Sequence, residues 1–220
     1  MRNILVVGAS GHAKVILDIV EKQGLYTVLG LIDSFRPVGQ EVLGYSVIGG
    51  ESDLPEILTD YEIEGVIVGI GDNGVRAEVS DRISTMCPQL PFVCAIHPSA
   101  TIGKGVSIGE GTVIMAGAVV NACSTVGRFC IINTLAGLDH DSIMADFSSL
   151  APGVTTGGNC KIGTYSAIGI GASVSHGVTI GEHAVIGAKS MVLVDIDAYS
   201  VAYGVPARRV RSRKKSEKYL

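Results

Sequence analysis

The 220-residue chain has no tryptophan, and aromatic residues make up only 5% of it. It has no run of 18 consecutive apolar residues, so nothing in it predicts a membrane span. Its five cysteines show none of the paired spacings of metal sites and are expected to be free thiols. A strand-like stretch begins at residue 3, without the pattern of a signal peptide. These absences favour a cytoplasmic protein with an aliphatic core.

Charge is unevenly distributed along the chain. Seven of the 17 basic residues and one of the 21 acidic residues fall in the last 13 positions, which leaves 10 basic and 20 acidic residues in residues 1–207. An acidic body argues against nucleic acid as the main partner. The basic tail, residues 208–220, is expected to be a solvated, frayed terminus. The alternative is that its first arginines contact the phosphates of a ligand.

From Ile96 to Val192 an aliphatic residue returns at every sixth position, and only Thr156 departs from this chemistry while keeping the register. A small residue follows four positions later in nearly every hexad, as at Ala100 and Ser124. A period of six fits neither a helix nor an ordinary strand and is typical of a parallel β-helix of the hexapeptide type. Three hexads then form one triangular coil. Positions three hexads apart are expected to be stacked on one face, about 4.8 Å apart.

Residues 1–95 follow a different pattern, in which apolar runs alternate with segments of helical spacing. The runs at residues 3–7, 28–32 and 65–70 each lead into a loop that contains glycine or aspartate. Strands that alternate with helices predict a small parallel α/β sheet. The predicted fold is therefore a small Rossmann-like α/β domain followed by a parallel β-helix over residues 96–207.

Three loops follow the carboxyl ends of the predicted strands, where α/β sheets bind ligands. They contain the predicted substrate-binding residues Gly8, Ser10, Gly11, His12, Asp33, Gly71, Asp72 and Asn73. Gly8 and Gly11 permit a tight turn and a close approach to a phosphate at the next helix N-terminus; a plain β–α turn is the alternative. Asp33 suits a ribose hydroxyl. Since 95 residues make only half of a dinucleotide fold, a nucleotide-sugar is the better match in size.

His140 is the third residue of its hexad and is predicted to point outward from the β-helix. The spacing of three hexads places Ala122 one coil below it and Gly158 one coil above, so the imidazole would stand in a notch between small residues. Asp139 and Asp141 flank it, and a histidine beside a carboxylate is suited to act as a general base near neutral pH. The alternative is a solvated surface histidine.

Two other histidines are not expected to complete a metal site with His140. His176 lies two coils above it, roughly 9.6 Å away by strand spacing, whereas two ligands of one Zn²⁺ lie only about 3–3.5 Å apart. One chain therefore does not hold zinc with this pair, and only a zinc shared between subunits stays open. We expect no metal, and we interpret His176 and His183 as surface or interface residues.

The chain resembles the bacterial nucleotide-sugar N-acetyltransferases of the left-handed β-helix superfamily, in the branch of the bacillosamine-pathway and perosamine acetyltransferases. Sialic acid O-acetyltransferases are close relatives. The resemblance spans nearly the whole chain and is carried by Arg76 and by residues 8–14, 69–73, 95–100, 131–134, 139–141 and 203–207.

The resemblance implies a homotrimer, with acetyl-CoA in grooves between neighbouring left-handed β-helices and the nucleotide-sugar on the N-terminal loops. His140 matches the catalytic base and Asp141 the acidic residue that orients it, with Asp139 as a rival for that role. Gly158 matches a glycine whose backbone N–H faces the thioester oxygen. Ser149 stands where some relatives have a second histidine. The predicted acetyl-CoA-binding residues are Gly158, Gly204, Pro206 and Arg208.

The predicted function is acetyl transfer from acetyl-CoA to the amine of a UDP-, GDP- or dTDP-linked deoxyamino sugar in surface-glycan synthesis. One alternative is the same chemistry on a hydroxyl, as in sialic acid O-acetylation. The other is a non-enzymatic scaffold or binding protein on the same fold, which the cluster of Asp139, His140 and Asp141 disfavours.

Overall fold

The computed structural model describes residues 1–215 and 217–218. Its N-terminal sheet contains β1 (Arg2–Val7), β2 (Tyr26–Ile32), β3 (Glu41–Val42), β4 (Tyr45–Gly49) and β5 (Gly65–Val68). The helices of this domain are α1 (Gly11–Gln23), α2 (Leu54–Asp60) and α3 (Asn73–Met86), with a 3₁₀ turn at Glu51–Asp53. The strand order is β3-β4-β2-β1-β5, parallel except for the β3–β4 hairpin. The predicted parallel α/β sheet is confirmed, whereas the hairpin and α2 were not predicted.

The central strand and the first helix explain how this domain folds. Residues Ile4–Val7 of β1 are buried on both faces, as the continuous apolar run of a central parallel strand requires. Helix α1 packs Ile16, Leu17, Ile19 and Val20 against the sheet at helical spacing. It ends at Gly24, which adopts a left-handed φ of 66°. No helix among residues 1–215 and 217–218 is long and apolar enough to cross a membrane.

The β-helix is built from two-residue strands that recur at every sixth position. They are β6 (Ala95–Ile96), β7 (Thr101–Ile102), β8 (Ser107–Ile108), β9 (Val113–Ile114), β10 (Val119–Val120), β11 (Thr125–Val126), β12 (Ile131–Ile132), β13 (Gly137–Leu138), β14 (Ile143–Met144), β15 (Ser149–Leu150), β16 (Thr155–Thr156), β17 (Lys161–Ile162), β18 (Ala167–Ile168), β19 (Ser173–Val174), β20 (Thr179–Ile180), β21 (Val185–Ile186) and β22 (Met191–Val192).

Every third strand joins the same parallel sheet, so the β-helix has three faces. The first face contains β6, β9, β12, β15, β18 and β21; the second contains β7, β10, β13, β16, β19 and β22; the third contains β8, β11, β14, β17 and β20. Val120 pairs with Leu138 and Ile132 with Leu150, each three hexads further along the chain, which confirms the predicted coil length. Thr156 keeps its register and pairs with Val174.

Aliphatic side chains at the period of six fill the narrow interior. Ile114, Val120, Leu138, Leu150 and Ile186 are fully buried in one cluster, together with small residues from the turns. The space inside a three-sided coil holds one branched aliphatic side chain per strand, with small side chains at the corners. The scarcity of aromatic residues in the sequence follows from this size limit.

A ladder of rings runs along the edge between the third and first faces. Phe129, Phe147, Tyr165 and His183 occupy equivalent turn positions in successive coils, each with a left-handed φ of 53–60°. Their rings stack with centroid distances of 4.6–5.3 Å. Of the two interpretations of His183, as a surface or an interface residue, the surface one is wrong, because only 5% of the residue is exposed.

The start of α3 fixes the N-terminal domain to the β-helix through Arg76, which is completely buried. Its Nε donates to the carbonyl of Phe129 at 2.9 Å, and its Nη2 donates to the carbonyl of Phe147 at 3.3 Å. Its Nη1 donates to the carbonyls of Ile70 and Gly71 in its own domain. One guanidinium therefore connects the loop after β5 to two successive coils.

The C-terminal segment differs from its prediction. β23 (Ser200–Gly204) continues the first face, and β24 (Ala207–Ser212) pairs with it in an antiparallel hairpin. Arg213 is buried and donates from Nη1 to the carbonyl of His183. A frayed terminus is therefore wrong for residues 208–213, because their backbone completes the first face. Positions 216 and 219–220 of the predicted tail lie outside the described residues.

Candidate active site

His140 lies in the turn that joins β13 to β14, at the edge between the second and third faces, and its side chain is exposed as predicted. Its Nδ1 lies 2.8 Å from Oδ2 of Asp141, which adopts the left-handed turn position with a φ of 56°. The hydrogen bond to Asp141 is the main cause that raises the pKa of His140, and the charges of Asp139 and Asp141 add to it. Because Nδ1 faces Asp141, Nε2 is the ring nitrogen on the other side of the imidazole, next to Gly158.

Asp139 and Asp141 are the two candidate partners of the imidazole, and their hydrogen bonds differ. Asp141 contacts the ring of His140, whereas Asp139 accepts from other groups. It accepts the side-chain N–H of Asn121 at 2.6 Å and the backbone N–H of His140 at 2.7 Å. These hydrogen bonds lower the pKa of Asp139, that of Asn121 most of all. Its own N–H donates to Oγ1 of Thr156 at 3.0 Å. Asp141 orients the ring, whereas Asp139 holds the backbone of the turn.

The sequence interpretation missed Asn121 and Thr156 as parts of this site. Both carry a signal in the hexad pattern. Asn121 precedes Asp139 by one full coil, so stacking places the amide beside the carboxylate. Thr156 is the one polar residue in the aliphatic series, and its hydroxyl is the hydrogen-bond partner of the Asp139 amide.

The column predicted around His140 is present, but its upper end is more crowded than expected. A Cβ added to Gly158 would lie 2.4 Å from His140 Nε2, so the imidazole packs directly on this glycine. The N–H of Gly158 donates to Nδ1 of His176 at 2.9 Å. A side chain from the next coil therefore accepts this N–H in the structure, and its contact with the thioester oxygen stays a prediction.

A groove of about 380 Å³ lies between the N-terminal domain and the upper part of the first face. His12 and Gly71 line it from the domain, and Asn133, Ser149 and Ile170 are among the residues that line it from the β-helix. Apolar backbone-rich walls with a few polar groups are typical of small-molecule sites. Two of the predicted substrate-binding residues, His12 and Gly71, thus meet in one cavity.

His12 is the most unusual polar group of this groove. Its Nε2 is buried and has no hydrogen-bond partner within the residues that the structure describes. Burial first, and the charge of Arg76 second, lower the pKa of His12 to about 4, so the imidazole is neutral at pH 7. A buried polar atom without a partner costs free energy unless a ligand or water satisfies it. The groove is therefore suited to a polar ligand.

The first loop is arranged for a ligand, although only one of its glycines makes the turn. Gly8 has a φ of 102°, and a Cβ there would lie 3.0 Å from the carbonyl oxygen of Gly69. Ser10 is the N-cap residue of α1, and its side chain does not cap the helix. Gly11 begins α1 without a left-handed φ, so its predicted role in a tight turn is wrong. A Cβ on Gly11 would meet nothing within 4 Å, which leaves the helix N-terminus open.

Asp33 organises the loops at the ends of β1 and β2. Its Oδ2 accepts the N–H of Ala9 and its Oδ1 accepts the N–H of Phe35, each at 2.9 Å. Beside it, a second groove of about 560 Å³ is lined by Ser34, Phe35, Glu51 and Arg82 among others. The ring of Phe35 is 97% exposed at its rim.

Asp72 and Asn73 do not lie in the first groove. Asp72 is the N-cap of α3 and accepts the N–H of Val75 at 3.0 Å. Asn73 is 1% exposed and donates from Nδ2 to Ser149 Oγ and to the carbonyl of Ser166. Its prediction as a substrate-binding residue is therefore wrong, because the domain junction buries its amide.

The predicted acetyl-CoA residues near the C-terminus lie beside the top of the same groove. Gly204 (φ 109°) ends β23, Pro206 lies in the turn between β23 and β24, and Arg208 is the second residue of β24. The turn adjoins Gly187, a lining residue, because a Cβ on Gly187 would lie 2.6 Å from Cβ of Tyr203. Among the described residues, no group of three or more His, Cys, Asp or Glu side chains is placed to hold a metal ion.

The groove and His140 lie on opposite sides of the β-helix. The groove follows the first face and the turns beside it, whereas His140 stands on the edge between the other two faces. In a three-sided prism, that edge is opposite to the first face. One copy of the chain therefore does not bring the exposed imidazole to the groove.

Family models match both halves of the chain. Residues 3–83 match the PglD N-terminal domain, and residues 159–193 match the bacterial transferase hexapeptide (six repeats). Among curated proteins, a serine acetyltransferase of Buchnera aphidicola is 30% identical over 165 residues, which are 74% of this chain and 56% of the relative. A chloramphenicol acetyltransferase of Klebsiella aerogenes is 39% identical over 67 residues, 32% of its length. The chain thus spans only about a third to a half of these curated relatives.

Solved structures match almost the whole chain. PerB from Caulobacter crescentus, in complex with CoA and GDP-perosamine, is 34% identical with a TM-score of 0.89 and covers 96% of this chain and 98% of its own. The acetyltransferase domain of PglB from Neisseria gonorrhoeae, in complex with acetyl coenzyme A, is 32% identical with a TM-score of 0.85. That match covers 95% of this chain and 99% of the domain.

Proposed function

Because the chain belongs to the acetyl-CoA-dependent sugar N-acetyltransferases of the hexapeptide-repeat superfamily, we propose that it acetylates the amine of a nucleotide-linked deoxyamino sugar. The observation that carries the proposal is the exposed His140–Asp141 pair at a notch in an otherwise regular β-helix. Surface-glycan synthesis in the cytoplasm is the setting in which such an activated sugar is used.

His140 acts as the general base in this reaction. A sugar amine is protonated near neutral pH and attacks a thioester only after it loses a proton. That first proton goes to solvent. As the neutral amine attacks the acetyl carbonyl, Nε2 takes a second proton from the nitrogen. The C–S bond then breaks, and CoA leaves as a thiolate that accepts the proton from the imidazolium. Asp141 stabilises the imidazolium that forms and raises the pKa of His140, as a base that operates near neutral pH requires.

The nucleotide-sugar spans the two grooves of the N-terminal domain. Ile70 lines the second groove and Gly71 lines the first, so consecutive residues of one loop separate them. The uncapped N-terminus of α1 lies beside His12 and suits the pyrophosphate. The exposed ring of Phe35 suits stacking on the base. The sugar then enters the first groove, where Nε2 of His12 and the side chain of Asn133 contact its polar groups.

Two copies of the chain complete one site. Since His140 stands opposite the groove of its own chain, the base reaches a bound sugar only from a neighbour. Contact between an edge of one copy and a different face of the next is heterologous, and such contacts form a ring when the rotation between copies closes. A homotrimer is the ring that a three-sided prism suits, and acetyl-CoA then lies between neighbouring copies, beside Gly204, Pro206 and Arg208.

The proposal is tested by thiol release from acetyl-CoA with a panel of acceptors. UDP-, GDP- and dTDP-linked amino sugars are compared with the same nucleotide-sugars that carry a hydroxyl in place of the amine, and with free and CMP-linked sialic acids. We expect turnover with at least one amino sugar and none with its hydroxyl counterpart. Turnover with only the sialic acids indicates O-acetylation, and turnover with no acceptor contradicts the enzymatic assignment.

A further inference from the structure

Two successive glycines separate two imidazoles on the edge between the second and third faces. His140 packs on Gly158 from the coil below, and His176 packs on Gly157 from the coil above. A Cβ on Gly157 would lie 2.7 Å from Cγ of His176, and a Cβ on Gly158 would lie 2.4 Å from Nε2 of His140. Neither Gly157 nor Gly158 has room for a side chain, because an imidazole ring packs on each of them.

The N–H of Gly158 belongs to the turn rather than to the strand ladder. The neighbouring amides pair with backbone carbonyls, that of Gly157 with Val174 and that of Asn159 with His140. The Gly158 N–H instead donates to Nδ1 of His176 at 2.9 Å. This bond places the ring proton of His176 on Nε2, because only a nitrogen without a proton accepts a hydrogen bond.

An N–H group donates one strong hydrogen bond at a time, and the acetylation reaction needs the same Gly158 donor that His176 uses. The proposed function places the thioester carbonyl beside His140, whose ring packs on Gly158. As the amine attacks, that carbonyl oxygen gains negative charge and needs a donor aimed at it. In the structure, His176 accepts the hydrogen bond of this donor.

We propose that His176 is an internal competitor of the acetyl donor, which must displace its Nδ1 from the Gly158 N–H. The inference rests on the proposed function. His176 is exposed in one copy of the chain, so rotation of its ring away from Gly158 disrupts no packed core. Only a ligand with an acyl carbonyl needs this exchange. CoA, the product, keeps the same nucleotide and pantetheine arms but has no acyl oxygen, so it binds while His176 stays in place.

His176 therefore lowers the affinity for acetyl-CoA and leaves that for CoA unchanged. The two affinities therefore differ less than they otherwise would. The hydrogen bond that the thioester carbonyl of acetyl-CoA gains from the Gly158 N–H is offset by the one that His176 loses. In a variant without the His176 imidazole, acetyl-CoA binds without breaking that hydrogen bond. Its affinity then rises roughly 2–10-fold.

The test is calorimetric titration of the full-length protein with acetyl-CoA and with CoA, for the wild type, H176A and H176N. Asparagine offers an oxygen near the place of Nδ1 and is the matched control, since it keeps the acceptor without the ring. We expect H176A to bind acetyl-CoA roughly 2–10-fold more tightly than the wild type and to bind CoA equally. H176N is expected to match the wild type for both ligands.

Three results overturn the inference. The first is an acetyl-CoA affinity in H176A that is equal to or lower than that of the wild type, since this makes His176 a structural cap. The second is an equal gain for CoA, which removes the role of the acyl oxygen. The third, a wild type that binds no acetyl-CoA, contradicts the proposed function itself. The inference then falls with it, and the first two results leave that function intact.

Discussion

Replacement of His140 by alanine is expected to lower kcat by about 10²–10⁴-fold while the affinity for acetyl-CoA stays close to that of the wild type. The imidazole is exposed and packs on Gly158 at the surface of the turn, so its loss leaves the β-helix core untouched. What disappears is the group that takes the proton from the sugar amine. Steady-state kinetics with the accepted amino sugar and calorimetry with acetyl-CoA measure the two quantities separately.

A matched variant separates the base from its orienting partner. D141N removes the carboxylate that holds Nδ1 at 2.8 Å but leaves the imidazole in place. Because the Asp141 hydrogen bond raises the pKa of His140, its loss lowers that pKa. A base works when it is unprotonated, so the rise of kcat/KM with pH should move to lower pH in D141N.

Near-normal turnover in H140A would contradict the assignment of the base.

Replacement of Arg76 by methionine is expected to reduce the free energy of unfolding by about 3 kcal/mol or more. The guanidinium donates to carbonyls in both domains, and each carbonyl that loses its donor in a buried junction costs on the order of 1–3 kcal/mol. Methionine keeps much of the buried volume, so the loss reports on the hydrogen bonds rather than on a cavity. Denaturant titration at matched protein concentration measures it.

Arg82 provides the control on the same helix. It pairs with Glu51 at the surface, with 53% of its side chain exposed, and such pairs contribute about 0–1 kcal/mol. R82M should therefore unfold close to the wild type. Equal losses in R76M and R82M would mean that Arg76 does not fasten the two domains together.

The β-helix could be predicted in detail because its period appears in the sequence itself. Each coil needs inward aliphatic residues and small residues at its corners. The phase of this pattern from Ile96 to Val192 therefore predicts the three faces and the stacking of His140 with Ala122 and Gly158. Less of the structure of the N-terminal domain could be predicted, since β3, β4 and α2 are short and lack a repeating pattern.

Hydrogen-bond partners were harder to predict than positions. Asn73 begins α3 directly after a loop of the type that binds ligands, yet its amide donates to Ser149 and Ser166, which belong to the β-helix and lie far along the chain. The spacing of three hexads places Gly158 between His140 and His176, but it does not say which atom the Gly158 N–H points at. The basic composition of residues 208–220 suggested a frayed tail, and it concealed the pairing of β24 with β23.

The placement of one active site across two copies of the chain is tested most directly with hybrid oligomers. One parent is H140A, which lacks the base; the other is H12A/N133A, which lacks polar groups of the groove. Differently tagged chains are co-expressed, and hybrids that carry both tags are purified and assayed for acetyl transfer. We predict activity well above either parent, because one junction in the ring joins an intact His140 to an intact groove. Hybrids no more active than the parents would mean that each chain uses its own histidine, and would contradict the shared site.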